Sequence, residues 1–130
     1  MSAIPSESFK ALEKAEDALK SAEYDLIGGF TLAAANRAYY SCYYCMVALL
    51  YTKNVYAKTH QGLRTKFTEL FIKNTSAFPM NISGTISMLF DYRQEADYDL
   101  DAEISIEEAR LILSKATEFF QLARTFLQSS

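Results

Sequence analysis

Two prolines and four glycines in 130 residues leave little material for turns, and no run reads clearly as a strand. A turn-rich β-fold is excluded on that ground. One histidine and two cysteines cannot supply the roughly four ligands of a structural zinc site. Cys42 and Cys45 are spaced as C-x-x-C, but they lie inside "AYYSCYYCMVALL" rather than at a helix start after a strand, so they read as core thiols. Positive charge is not in excess: the formal net charge is −3 and the pI near 5.1. A generic electrostatic grip on nucleic acid is therefore not expected, although a local basic patch is compatible with these totals. No apolar run reaches the roughly 18 residues of a membrane span, and "MSAIPSES" lacks the basic-then-apolar order of a signal peptide. The chain is expected to be cytoplasmic, without cofactor or membrane contact.

What is present is helical periodicity. A single domain is expected over residues 1–130, with its core at about 8–127. Leu12, Ala15, Leu19, Ala22 and Leu26 recur every three or four residues and predict a helix over 8–27, ended by Gly28-Gly29. Leu32, Asn36, Tyr39, Tyr43, Met46 and Leu50 predict a second over 30–53, closed by Lys53-Asn54. Its opposite side is also apolar, so it is expected to be central. A third helix is expected over 60–74. Thr59 is its N-cap, Leu63, Phe67, Leu70 and Phe71 lie inside, and Arg64, Lys66 and Lys73 lie outside. A fourth starts near Asn81 with Ile82, Ile86 and Leu89. A fifth starts at Ser105, where Glu108 completes a capping box, and continues through Ala109, Ile112, Ala116, Phe119, Ala123 and Phe126. The expectation is an all-α bundle with short antiparallel connections.

The stretch "DYDLDAEISIEE" at 97–108 imitates a calcium loop, with Asp97, Asp99, Asp101 and Glu108 at ligand positions. The position that needs glycine for positive φ holds Ala102, and Ser105 with Glu108 is explained by the capping box. An acidic corner between two helices, with no metal, is the expected reading.

Polar residues on apolar stripes carry more information. Asn36 interrupts the second helix's seam. Arg93 follows Ile82, Ile86 and Leu89, and Asp97 stands four residues on, within pairing reach. Burying such groups is expensive unless they are paired. Two readings stay open: a hydrogen-bonded Arg93–Asp97–Asn36 network that fixes helix register, or a polar cleft or dimer face where Arg93 holds a phosphate. His60 reads as a surface or capping residue, or as an acid–base group near a phosphate. The tyrosines at 39, 40, 43, 44, 51 and 56 read as core, or as base-stacking rings.

"NRAYYSCYY", "KTHQGLRTKFTELFIKN", "RQEADYD" and "EEARLILSKATEFF" follow one another in this order. Together they resemble the HEPN domain (higher eukaryotes and prokaryotes nucleotide-binding), particularly its small stand-alone bacterial and archaeal members, over about 8–127. The resemblance implies an up-and-down bundle of four longer helices plus one shorter, usually as a homodimer. Many such proteins are encoded beside a minimal nucleotidyltransferase as toxin–antitoxin pairs. Several are metal-independent RNases whose motif is an arginine, four to six residues, then a histidine, at the dimer cleft. Arg93 matches the arginine. No residue from 94 to 100 is histidine, and Asp97 and Tyr98 stand in that window. The lead expectation is thus a dimer that binds a nucleotide, RNA or a nucleotidyltransferase partner through Asn36, Tyr40, His60, Arg93 and Asp97, with weak or no catalysis. The alternatives are an RNase toxin using Arg93 with His60 or Tyr98, and a structural dimeric adaptor.

Overall fold

The computed structural model describes residues 3–129, and every regular element among them is helical. The chain runs α1 (Ser6–Ile27), α2 (Thr31–Tyr51), α3 (His60–Thr68), a π-helical turn continuing it (Glu69–Lys73), α4 (Asn81–Tyr98) and α5 (Ile106–Gln128). No helix among the described residues is long and apolar enough to cross a membrane.

The α1–α2 turn forms because two glycines follow the last helical residue. Phe30 N–H donates to the Asp25 carbonyl at 2.7 Å and Gly29 N–H to the Leu26 carbonyl at 3.0 Å. These are the two bonds that satisfy the last carbonyls of a helix when the next residue is left-handed, and Gly29 takes φ of 81°. Asn54, at φ 56°, similarly ends the turn after α2.

The predicted seam of α1 is shifted towards smaller residues. Ser8, Ala11, Ala15, Ala18, Leu19 and Ala22 are buried, whereas Leu12 and Leu26 only flank the core. In α2, which packs against α1, Ala34, Ala35 and Ala38 are buried. Small side chains let these two helices approach closely, and Ser8 Oγ donates to the buried Ala48 carbonyl at 2.8 Å between them. Helix α2 is the central element as expected, packing on α1, α3, α4 and α5. Its face differs from the predicted one at its start: Leu32 is exposed and Asn36 sits at the rim. Leucine spacing misleads here because the inner face is built from alanine, which contrasts weakly with its surroundings.

Thr59 caps α3 as expected, its Oγ1 accepting from Gly62 N–H at 2.9 Å. The π-helical turn inserts one extra residue into the ladder, so that Phe71 and Ile72 are both buried. Phe67, Phe71, Phe78 and Phe119 then form an aromatic cluster, with centroids 5.4 to 6.0 Å apart. In α5, Phe126 packs beside this cluster from a half-buried position, and Leu127 takes the innermost place. Cys42 and Cys45 are fully buried free thiols whose ionisation burial pushes far up.

Candidate functional site

Helix α4 places Ile82, Ile86 and Leu89 in the core, and the same stripe emerges at Arg93 near the helix end. There the guanidinium meets the exposed ridge of α2. Arg93 Nη2 donates to Tyr40 Oη at 3.1 Å and Nη1 to Gln94 Oε1 at 2.9 Å. Its Cζ lies 5.4 to 5.7 Å from the ring centres of Tyr39, Tyr40 and Tyr98. Asp97 Oδ2 is 2.9 Å from Arg93 Nε. That contact is an ion pair without hydrogen-bond alignment: the buried Nε–H finds no acceptor along its own direction. Burial disfavours the arginine's charge, but Tyr40 and Asp97 outweigh it and hold the guanidinium firmly protonated.

Asn36 joins from α2. Its Nδ2 donates to both carboxylate oxygens of Asp97, at 3.2 and 3.0 Å. Its Oδ1 accepts from Arg37 Nε at 3.0 Å, and Arg37 Cζ sits 5.1 Å over the Tyr40 ring. Tyr40 thus carries two guanidiniums, a local concentration of positive charge on a chain of net −3.

His60, on the first turn of α3, completes the cluster. It stacks on Tyr43 at 4.7 Å and meets Tyr40 edge-on at 6.0 Å. Tyr39 Oη lies 2.7 Å from His60 Nδ1. Burial, then the charge of Arg93, lowers the histidine below its ordinary value of 6.5, so the imidazole is neutral at pH 7. Burial also drives the Tyr39 hydroxyl far above the usual tyrosine range. Among the described residues Tyr39 Oη has no hydrogen-bond partner other than His60, so its buried proton is satisfied only by donation to Nδ1. We therefore assign Nδ1 as acceptor and Nε2 as the N–H nitrogen. In that tautomer His60 is a hydrogen-bond donor through Nε2 rather than a base.

All six residues singled out from the sequence meet here: Asn36, Tyr40, His60, Arg93, Asp97 and, by its ring, Tyr98. Arg37, Tyr39, Tyr43 and Gln94 belong to the same cluster and were not singled out as site residues. Arg37 adjoins Asn36 and its charge was the available signal; Tyr39 and Tyr43 were read as core or as base-stacking rings. Arg64, expected on the outer face of α3, instead turns inward. Its Nη2 donates to Ser87 Oγ at 2.9 Å and its Cζ lies 4.8 Å over Phe90.

The acidic stretch resolves into two helix ends. Asp97 is engaged by Arg93 and Asn36. Asp99 Oδ1 accepts from Asp101 N–H at 2.9 Å in a local turn. Ser105 Oγ accepts from Glu108 N–H at 3.0 Å and Glu108 Oε1 from Ser105 N–H at 3.1 Å. Tyr92 Oη donates to Glu108 Oε2 at 2.9 Å, tying α4 to the start of α5. The Ser105 backbone and the Tyr92 hydroxyl hold the Glu108 carboxyl below its ordinary range.

An all-helical chain with an arginine-centred polar cluster near the end of its fourth helix defines a class, and comparison with known proteins agrees on which. The model of the HEPN domain matches residues 10–126. The chain belongs to the HEPN domain family. It is 38% identical over 120 residues to "Putative toxin MJ0142" of Methanocaldococcus jannaschii, covering 92% of this chain and 81% of that protein. It is 32% identical over 108 residues to "Putative toxin MJ0605" of the same organism, covering 83% and 79%. A UPF0332 protein of Thermotoga maritima is 26% identical over 96 residues, covering 74% and 72%.

Proposed function

We propose that this chain is a dimeric HEPN-like binding protein of a toxin–antitoxin setting. It binds a nucleotide, RNA or a nucleotidyltransferase partner, with Arg93 contacting a phosphate or organising the dimer cleft, and with weak or no catalysis. The observation that carries this reading is the pair of guanidiniums on Tyr40, from Arg37 and Arg93, in an otherwise acidic protein. An arginine already ordered by its neighbours loses little freedom on meeting a phosphate, and its fork suits that geometry. In this reading Asp97 orients Arg93 and Asn36 orients Asp97. Two relatives whose names read "Putative toxin" support the setting. The same reading takes residues 1–130 as one domain in the cytoplasm, with its four longer helices running up and down and α3 as the shorter addition.

The test is calorimetric titration with ATP, GTP and a short RNA against wild type and Arg93→Ala, with circular dichroism to verify the helices and light scattering for the dimer. Binding by wild type and its loss in a folded Arg93→Ala protein is expected. A dimer that takes no ligand, unchanged by the substitution, points to the adaptor.

A metal-independent RNase using Arg93 with His60 or Tyr98 is the second reading, and the place of His60 beside Tyr40 and Tyr43 favours it. The tautomer assigned to His60 weighs against it, because transfer of the 2′-hydroxyl proton needs an acceptor near neutral pH. Tyr98, a phenol rather than an imidazole, is a poor substitute for a histidine in that proton transfer. An RNA cleavage assay without metal decides: no product from wild type, and no growth arrest on expression, excludes it.

A further inference from the structure

The outer ridge of α2 is lined with rings well beyond the Arg93 cluster. Tyr40, Tyr43, Tyr44, Val47 and Tyr51 recur on one helical face, and each tyrosine is half-buried, leaving part of its ring open. Tyr40 meets Tyr43 at 5.8 Å and Tyr43 meets Tyr44 at 5.2 Å. Past Val47, Tyr51 and the exposed Tyr56 form a second pair at 4.9 Å. Helix α1 supplies the facing wall: Lys10, Ala11 and Lys14 line an open groove with Tyr44, Val47 and Tyr51, and Glu7 sits at its rim. Lys14 Nζ stands 5.6 Å over the Tyr44 ring.

Exposed acidic residues lie along α1, at Glu13, Asp17 and Glu23, and crowd more densely elsewhere. Glu95, Asp99, Asp101, Glu103 and Glu107 are exposed at the corner of α4 and α5. The groove has two lysines against one glutamate, and beyond Tyr44 the ridge continues to Tyr40, 6.5 Å away between ring centres, which lies beside Arg37 and Arg93. Half-open rings at intervals, edged by cations, match the chemistry that holds a single strand: each base has a face to stack, and each phosphate needs a positive neighbour. From Tyr40 to Tyr51 the helix rises roughly 16 Å, which accommodates roughly three to five stacked bases.

We propose that this groove is a base-stacking track for a single-stranded polynucleotide anchored by a phosphate at Arg93. Tyr44 and the Tyr51–Tyr56 pair take bases, and Lys10 and Lys14 take backbone phosphates. The anchor rests on the reading of Arg93 given above; the track extends it from a single phosphate to a strand.

The test is fluorescence anisotropy with labelled oligouridylate and oligothymidylate of two lengths, one shorter and one longer than the track. Wild type binds the longer oligomer more tightly, and preference for uridylate over thymidylate distinguishes RNA from DNA. Tyr44→Leu and Tyr51→Leu keep apolar bulk but remove the stacking face. Each lowers affinity for the longer oligomer by roughly ten-fold while leaving ATP binding unchanged. Lys14→Gln weakens binding and flattens its salt dependence, without touching the core. Affinity that ignores length, or variants that bind the longer oligomer as wild type does, overturns the track. So does binding of ATP without any oligonucleotide, which leaves the Arg93 reading intact. Oligomer binding that is lost in Tyr44→Leu but unaffected by Arg93→Ala upholds the track and overturns the anchor. Should Tyr44→Leu fail to fold, Tyr51→Leu, Lys14→Gln and the length dependence decide.

Discussion

Tyr39 Oη and His60 Nδ1 lie 2.7 Å apart, joining a fully buried residue of α2 to the first turn of α3. Tyr39 is packed on all sides, so the hydroxyl is fixed, and through it the imidazole is fixed too. His60 is further held by its stack on Tyr43. The pairing links the core to the candidate site, and the chain's single histidine makes it separable by pH.

Folding lowers the pKa of His60, first by burial and then by the charge of Arg93. The unfolded chain therefore binds more protons than the folded one just below the ordinary value of 6.5. Stability is full above that value and is lost as pH falls through it towards the folded pKa. Urea midpoints of wild type should drop between pH 7.5 and 5.5, and those of His60→Gln should stay level over the same interval. A wild-type midpoint that is flat, or that rises on acidification, contradicts the neutral, hydrogen-bonded imidazole.

Helix α1 meets α2 through alanines, and this predicts intolerance to size. Ala15 has no exposed surface. Ala15→Leu should destabilise the protein by about 1–3 kcal/mol through forced separation of the two helices, measured as a lowered denaturant midpoint at unchanged slope. Ala33→Leu, on the exposed side of α2, should leave the midpoint within about 0.5 kcal/mol of wild type.

The capping box at the start of α5 and the residues that resemble calcium ligands can be tested together. Ser105→Ala removes the acceptor for Glu108 N–H and should cost about 1 kcal/mol in thermal or chemical unfolding. Glu108 is already engaged by Ser105 and Tyr92. Millimolar calcium should accordingly leave the melting temperature where a chelator leaves it. A clear rise with calcium would mean that these carboxylates exchange their protein partners for the ion.

What could be read from the chain divides by range. The box at Ser105 and Glu108 spans three residues, and the Arg93–Asp97 pair spans four, so both are visible as local spacing. Asn36 and Asp97 are 61 residues apart and Tyr39 and His60 are 21 apart. Spacing gives no sign of these contacts, because they depend on how helices cross. Asn36 is grouped with Arg93 and Asp97 because all three stand out as polar residues along apolar stripes, and the resemblance carried by "KTH" and "RQEADYD" adds the His60 segment. The misread faces have a physical cause as well. Leu32 and Asn36 were placed on a seam drawn through large side chains, whereas α2 starts on an alanine face. Arg64 was placed in solvent by its charge, although its flat guanidinium packs well over Phe90.

Asp97 offers the sharpest division between a structural and a binding role for the Arg93 cluster. Its side chain is 26% exposed and that of Arg93 is 14% exposed, so the pair lies between the surface limit, where pairs add little, and the buried limit, where breaking one is severe. Asp97→Ala should therefore destabilise by about 1–2 kcal/mol, because Arg93 keeps Tyr40 and Gln94 as partners while Asn36 Nδ2 loses its own. Replacing both members, as Arg93→Met with Asp97→Leu, should recover most of that loss, since no charge is left half-paired. The two proteins then separate the roles. Asp97→Ala retains the guanidinium and should weaken ATP binding several-fold through poorer orientation of Arg93. The double variant should be the more stable of the two, yet bind no ATP. Equal ATP binding by wild type and the double variant would reduce the cluster to a device that holds α2 against α4.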